Sequence, residues 1–599
     1  METSRQRNWM QVGLLGFLGV VLTFVGCTSK SRSDANQLNL ALVANIKPLD
    51  PVRASDRYTS IPIYQIYEGL YSYHYLKRPY ELEPNLAVAM PTVSSNKLVY
   101  TIKVRPGVVF QDDPAFEATS GKGRELTAED VVYSFKRLAD PKLLSDGWWI
   151  FDGKIKGLNE WREAQGSQEQ VQYDQEVAGL KAVDRYTLRI ELTQPSAQFL
   201  YYLAMPYTFI VPHEAVKRYG DDFGRNPVGT GPYRLVREES NLNSRLVFEK
   251  NPTVRELLYP SEAAPEFVKA GLLKDAGKKL PLVSRVVMEI IPESQPRWLK
   301  FMKGELDYLE IPKDNMGEVI NDKGDLKKEY ADKGIVLVKE PGLDITHYSF
   351  NMKDEVVGKN KKLRQAISMA VDTAQMIELF YKGRAIPAQG PIPPNLFGYD
   401  PNYKNPYRQF NVVKARELLR EAGYPNGEGL EPIKVVSLSK TLERQMADAF
   451  SQFMAQIGVK VKTEYYTWPE FLNKVKNLDG QMWAYAWSAD YPDAENFLQL
   501  FYGPNTTPGP NDSYYKNEQY DVLYRKLLTE TRPEVLKKVY AQMRDILVED
   551  APWLWGVHRL NYYLQAPRIR NYVIHEFNLG DVPYLSLNSK DSAQEATTP

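Results

Sequence analysis

Ile433-Lys434-Val435-Val436-Ser437-Leu438, Val459-Lys460-Val461-Lys462-Thr463-Glu464-Tyr465 and Met482-Trp483-Ala484-Tyr485-Ala486-Trp487 are three short segments dense in β-branched and aromatic residues. Each predicts a strand. The stretch between the first two predicts a helix to about Ile457, stopped by Gly458. Pro469 fits the first turn of a second, shorter helix before the third strand. Upstream, Asn411 predicts an N-cap, with Ala415, Leu418, Leu419 and Ala422 turned inward and Gly423 as the stop. Strands that alternate with helices pair in parallel through crossover connections, which puts this half of the chain in the α/β class.

Working outward from that core, Leu98 to Val104 alternates like a strand and ends at the turn Arg105-Pro106-Gly107. Thr127-Ala128-Glu129-Asp130 reads as a capping box with Asp in place of Glu. The helix after it, Val131 to Leu138, carries Val132, Phe135 and Leu138 on one side and stops before Pro141. Thr187 to Leu192 predicts another strand. No low-complexity segment or internal repeat interrupts these patterns.

The N-terminus reads as an export signal. Arg5 and Arg7 form a basic start, Val12 to Phe24 is apolar, and Val25-Gly26-Cys27 follow. The apolar run falls short of the roughly 20 residues that span a bilayer. The order of small residue then cysteine resembles a lipobox, in which Cys27 is lipidated and becomes the first mature residue; Phe24 stands where an aliphatic residue is usual. Residues 1–26 are thus a signal peptide and 27–37 a polar, lipidated tether. The polar stretch 589–599 predicts a disordered tail.

Charge excludes some partners. The chain holds 75 Lys and Arg against 75 Asp and Glu. A neutral chain without basic blocks is a poor nucleic-acid binder. Its single cysteine leaves no disulfide, so stability must come from core size. Tyrosine is abundant, at 39 residues; most pack in the fold, but the type also suits a surface that holds varied ligands.

A catalytic set does not emerge. The five histidines, His74, His213, His347, His558 and His575, form no pair at helical spacing, and neither a zinc site nor any cofactor is expected. There is no nucleophile elbow and no phosphate-binding loop. Ser437-Leu438-Ser439-Lys440 matches a serine–lysine spacing, but Ser437 falls in a predicted strand. Asp112-Asp113 and Asp221-Asp222 are adjacent carboxylates that point apart and read as solvated loops.

Several motifs in order resemble one family. They are Lys47-Pro48-Leu49-Asp50-Pro51, Tyr67-Glu68-Gly69-Leu70, Leu126 to Phe135 (LTAEDVVYSF), Gly229-Thr230-Gly231-Pro232-Tyr233, Gly304-Glu305-Leu306-Asp307, Leu363-Arg364-Gln365-Ala366-Ile367, Ala422-Gly423-Tyr424-Pro425 and Trp487-Ser488-Ala489-Asp490-Tyr491-Pro492-Asp493. Together, over about 38–588, they resemble extracytoplasmic solute-binding proteins of the oligopeptide/dipeptide-binding class, which serve ABC importers. The segment from Phe110 to Glu125 departs from that pattern.

The resemblance implies a two-lobed, Venus-flytrap α/β fold of the periplasmic-binding-protein type with an extra subdomain on the first lobe. Lobe I is expected over 38–57, 183–285 and 560–588, the subdomain over 58–182 and lobe II over 286–559. It also implies capture of a peptide by strand addition in the interlobe cleft, without catalysis, by a monomer that hands its ligand to ABC importer permease subunits. Asp490 would pair with the ligand's α-ammonium, or cap the turn before Pro492. Ala486 and Ser488 would supply backbone contacts, and Trp487 would wall the pocket or belong to the core. A strand after the first motif, with Ala54 and Ser55, would face them from lobe I, and Glu310 would lie near hinge and cleft. An arginine that one relative uses for the ligand's carboxylate is replaced by Ala484, which leaves Lys476 or water for that end. Competing functions are capture of a sugar oligomer, haem or a metal chelate by the same fold, a cell-envelope peptide hydrolase, and a sensor.

Overall fold

The computed structural model describes residues 36–588 except 55, 322, 508, 531 and 578. Cys27, the apolar run before it and the tail 589–599 lie outside the described residues.

Alternation builds the first sheet. In Gln37–Leu42 every second residue, Leu38, Leu40 and Leu42, is buried. This strand pairs in parallel with Arg285–Ile290, which pairs antiparallel with Arg245–Lys250 and, through it, with Tyr233–Leu235. A second sheet orders Thr92–Val93, Val99–Lys103, Thr187–Glu191 and Leu180–Asp184. Its pairing of Leu180–Asp184 with Thr187–Glu191 runs across the expected boundary at 182/183, and the first sheet runs across that at 285/286.

Helix Ala128–Ala139 packs on the second sheet and begins with the expected capping box. The Asp130 carboxylate accepts from the Thr127 N–H at 2.8 Å and from its hydroxyl at 3.2 Å. From this helix Arg137 reaches Asp50 through two bonds of 3.0 and 2.9 Å, both side chains nearly fully buried. The same Asp50 caps a 3-10 turn, Pro51–Arg53. The expected strand after Asp50-Pro51 is therefore absent: Pro51 lacks a donor and starts the turn, Asp50 is held by Arg137, and Ala54 closes the turn with its side chain buried. Ser55 is outside the described residues.

The sheet of the second half is five-stranded, in the order Val461–Tyr466, Ile433–Leu438, Met482–Ser488, Asp344–Phe350, Trp553–Trp555. Met482–Ser488 is its central strand. The two pairings of Ile433–Leu438 are parallel, as the crossover helices require. The pairings of Asp344–Phe350 are antiparallel, because strands from distant stretches carry no crossover constraint, so the sheet is mixed. Helices Lys361–Met369, Val412–Glu421 and Thr441–Gln456 bury Leu363, Ile367, Leu419 and Phe450 against Val435 and Met482. Asn411 caps the second of these through its side chain, 2.9 Å from the Lys414 N–H.

A further sheet, centred on Val557–Gln565, collects Tyr308–Glu310, Val336–Pro341 and Ala385–Pro387. Segments distant in the chain are tied here. Buried Asp307 accepts the Arg568 guanidinium at 2.5 and 2.6 Å and the Asn39 N–H at 2.6 Å. Burial pushes its carboxyl up, partly offset by Arg568.

One carboxylate expected in solvent is not there. Asp113 is buried, 2.5 Å from Arg237 and 2.8 Å from the Tyr219 hydroxyl, because Arg237 supplies the charge that permits burial. Asp221 and Asp222 are exposed.

Breaking a buried pair on one side leaves an uncompensated charge, so Asp50→Ala is expected to lower stability by about 3–5 kcal/mol. The double variant Asp50→Ala/Arg137→Met should lose less than Asp50→Ala alone. Urea denaturation checks both; equal midpoints for Asp50→Ala and the parent would show that this pair does not fasten the subdomain.

Candidate functional site

The central strand has one free edge. Its register with Asp344–Phe350 is complete, Asp344 opposite Ser488 through Phe350 opposite Met482. Just beyond each end, the Ala489 N–H donates to the Leu343 carbonyl at 2.8 Å and the Asn351 N–H to the Gln481 carbonyl at 2.9 Å. In an antiparallel ladder bonded and non-bonded pairs alternate. Trp483, Tyr485 and Trp487 therefore turn their backbone groups toward Asp344–Phe350, and Ala484, Ala486 and Ser488 turn theirs away. On that far side Ile433–Leu438 pairs only with Met482 and Trp483. It then follows its other neighbour, Val461–Tyr466, along its whole length. Among the described residues nothing pairs with Ala484–Ser488 on this side.

The edge runs into Asp490. The Asp490 N–H donates to Asn496 Oδ1 at 3.0 Å, and Asn496 Nδ2 donates to Asp490 Oδ2 at 3.2 Å. Asn496 Oδ1 also accepts Trp487 Nε1 at 3.0 Å, so one buried amide orients both side chains. Among the described residues no backbone N–H donates to the Asp490 carboxylate, whereas Asp493 caps the turn, accepting from the Glu495 N–H at 2.8 Å. Among the described residues Asp490 has no ion-pair partner. Burial pushes its carboxyl up to about 6, and the Asn496 hydrogen bond only partly opposes this. The side chain is nevertheless half-buried rather than sealed. A desolvated carboxylate that solvent still reaches is a receptor for a cation.

Aromatic side chains surround it. The charge of Asp490 acts on the hydroxyls of Tyr73, Tyr202 and Tyr207. Tyr201 stacks on Tyr491 at 5.7 Å, and Tyr202 meets the same ring edge-on at 5.5 Å. Sequence reasoning missed these tyrosines and Asn496, and only the tyrosine count pointed toward them.

The other expected residues are spread out. Ala484 and Ala486 line a cavity of about 370 Å³. Glu310 ends its strand in another cavity, of about 110 Å³, with Arg57, Tyr58, Arg297 and Asp581. Lys476 is exposed and its field falls on Asp512, whose carboxyl burial raises to about 7. Ala54 is buried. Among the described residues no group of three or more His, Cys, Asp or Glu is placed to hold a metal ion. Nor is any of their helices long and apolar enough to cross a membrane.

A model of the bacterial extracellular solute-binding proteins, family 5, matches residues 81–509. The chain is 27% identical to haem-binding protein A of Haemophilus influenzae over 88% of this chain and 87% of that one. It is 26% identical to the dipeptide-binding protein of Escherichia coli over 82% and 84%. In structure it is similar to the periplasmic binding protein DppA of Helicobacter pylori in complex with the peptide STSA, with a TM-score of 0.71, 25% identity and coverage of 92% of this chain and 98% of that one. An oligopeptide-binding protein of Borrelia burgdorferi shares the fold with a TM-score of 0.71 at 22% identity, over 92% of this chain and the whole of the other.

A carboxyl whose folded-state pKa lies above its unfolded value binds its proton more tightly when folded. Its contribution to stability is then lost as pH rises from about 4 to about 6. Asp490→Asn is therefore expected to stabilise the ligand-free protein at pH 7 by about 1–3 kcal/mol, the shift being discounted for partial exposure. The gain should vanish at pH 4. Chemical denaturation at both values checks this; a variant less stable than the parent at pH 7 contradicts it.

Proposed function

The chain belongs to the bacterial extracellular solute-binding proteins of family 5, and we propose that its solute is a peptide, captured without catalysis in the interlobe cleft and delivered to an ABC importer. One observation carries this: the unpaired edge Ala484–Ser488 runs into an uncompensated carboxylate, Asp490. A peptide added to that edge exchanges backbone hydrogen bonds with Ala486 and Ser488, which gives affinity without reading side chains. Its α-ammonium then meets Asp490. Trp487, held by Asn496, walls the same end. The relatives named for dipeptide binding and solved with a peptide support this solute.

Ala54, Ser55 and Glu310 remain candidates for the lobe I and hinge side of the cleft. The division into lobe I, the 58–182 subdomain and lobe II is kept with each sheet whole. Residues 180–191 then go with the subdomain, 285–290 with lobe I and 557–565 with lobe II. We also propose that Cys27 carries a lipid that anchors a monomer to the membrane outside the cytoplasm, near the permease subunits. The likeness to haem-binding protein A makes haem the competing solute. Native mass spectrometry of the protein as purified separates the two, because peptides add masses built of amino-acid residues.

Truncating one partner of a buried charge pair costs about 2–5 kcal/mol. Asp490→Asn should weaken peptide binding by that amount in calorimetry, and acetylating the peptide's N-terminus should do the same to the parent protein. Parent affinity should also fall as pH drops below about 6, where Asp490 takes up its proton. Affinity untouched by the substitution would remove Asp490 from the site. Ligand should in addition shift the population toward closed molecules; scattering profiles identical with and without saturating peptide would count against lobe closure.

A further inference from the structure

The cavity beside the free edge is built differently from the polar end at Asp490. It holds about 370 Å³ and opens where Ile433–Leu438 leaves the central strand. Residues directly opposite one another in an antiparallel pair point to the same face. Thr346 and Tyr348 stand opposite Ala486 and Ala484, and Leu554 stands opposite Tyr348. All of these line the cavity, which puts it chiefly on that face of the sheet; His347 and Tyr485, at the alternate positions, also border it. The helix Thr441–Gln456 closes it with Met446 and Glu443. The lining is mainly apolar, and the two alanines leave the space that larger side chains would fill. Four buried polar atoms of its lining have no hydrogen-bond partner among the described residues: Arg408 Nε, His347 Nδ1 and Nε2, and the acceptor Glu443 Oε2. The N–H of a tryptophan or the O–H of a tyrosine would satisfy that acceptor.

Register says which ligand residue arrives there. A peptide with its α-ammonium at Asp490 runs back along the central strand, antiparallel to it. Its first residue lies opposite Ser488 and its third opposite Ala486, about 7 Å further on. Odd-numbered ligand residues share the face of Ser488, Ala486 and Ala484, and even-numbered ones face away. We infer that this cavity receives the side chain of the third residue and selects a large apolar group there, so that the preferred ligands are peptides of three or more residues with an aromatic or long aliphatic residue at that position. The inference rests on the peptide-capture reading above. It adds selectivity that backbone pairing alone does not give.

Calorimetry on the full chain tests it with four probes: tetra-alanine, the same peptide with tryptophan at position three, with tryptophan at position two, and with aspartate at position three. One added methylene in an apolar pocket is worth at least roughly tenfold. Tryptophan at position three should therefore bind at least about tenfold more tightly than tetra-alanine, tryptophan at position two should bring no comparable gain, and aspartate at position three should weaken binding. Met446→Trp, which fills the cavity, should erase the preference for tryptophan at position three, with a melting curve close to the parent's as the check on folding. If that variant does not fold, the four probes on the parent decide alone. Binding of all four peptides with equal affinity, or an equal gain at position two, overturns this inference and leaves peptide capture standing. Failure of all four to bind overturns both.

Discussion

The parting of two neighbouring strands governs the rest of this molecule's chemistry. Ile433–Leu438 stays paired with Val461–Tyr466 along its full length and leaves the central strand after Trp483. Backbone donors and acceptors left unpaired inside a fold are costly, so such an edge survives only where water or a ligand satisfies it. Here the edge lies near the C-terminal ends of parallel strands, where open α/β sheets commonly place their ligands. The split also makes the apolar cavity, since the helix that follows the departing strand roofs the gap instead of closing it. Backbone capture and side-chain capture thus share one origin.

Charge is handled in two ways. The carboxylates that hold the architecture are each matched: Asp50 with Arg137, Asp307 with Arg568, Asp344 with Arg559 at 2.6 Å, and Glu68 with Arg255 at 2.5 Å. These pairs join segments distant in the chain, and each repays its desolvation through hydrogen-bonded geometry. Asp490 has the desolvation without the partner. Among the described residues its carboxylate hydrogen-bonds a neutral amide, which orients it without discharging it. A site that costs the free protein stability and recovers it on binding is a common arrangement in proteins selected for function.

Much of the α/β half was legible in the sequence because its signals are local. The segment Ile433–Leu438, the Asn411 cap and the strand Met482–Ser488 depend on propensity, capping and alternation within about 15 residues. The order of motifs carried the two-lobed fold, and the motif Trp487 to Asp493 led to Asp490. Local signals failed where long-range partners decide. The strand that the resemblance implied after Asp50 is a turn instead, because Arg137, 87 residues later, fixes the Asp50 carboxylate. Asp113 looked solvated until Arg237 supplied its counter-charge.

The sequence by itself determined the class of fold, the direction of each crossover and the identity of the carboxylate at the end of the strand. Only the tertiary structure decided that, among the described residues, this carboxylate has no counter-ion and Ala484, Ala486 and Ser488 have no strand partner on one side, and that an apolar cavity lies beside them. The physical reason is the same in all three. Propensity and alternation are properties of neighbouring residues, whereas a missing partner is a property of every other segment that could have packed there and does not.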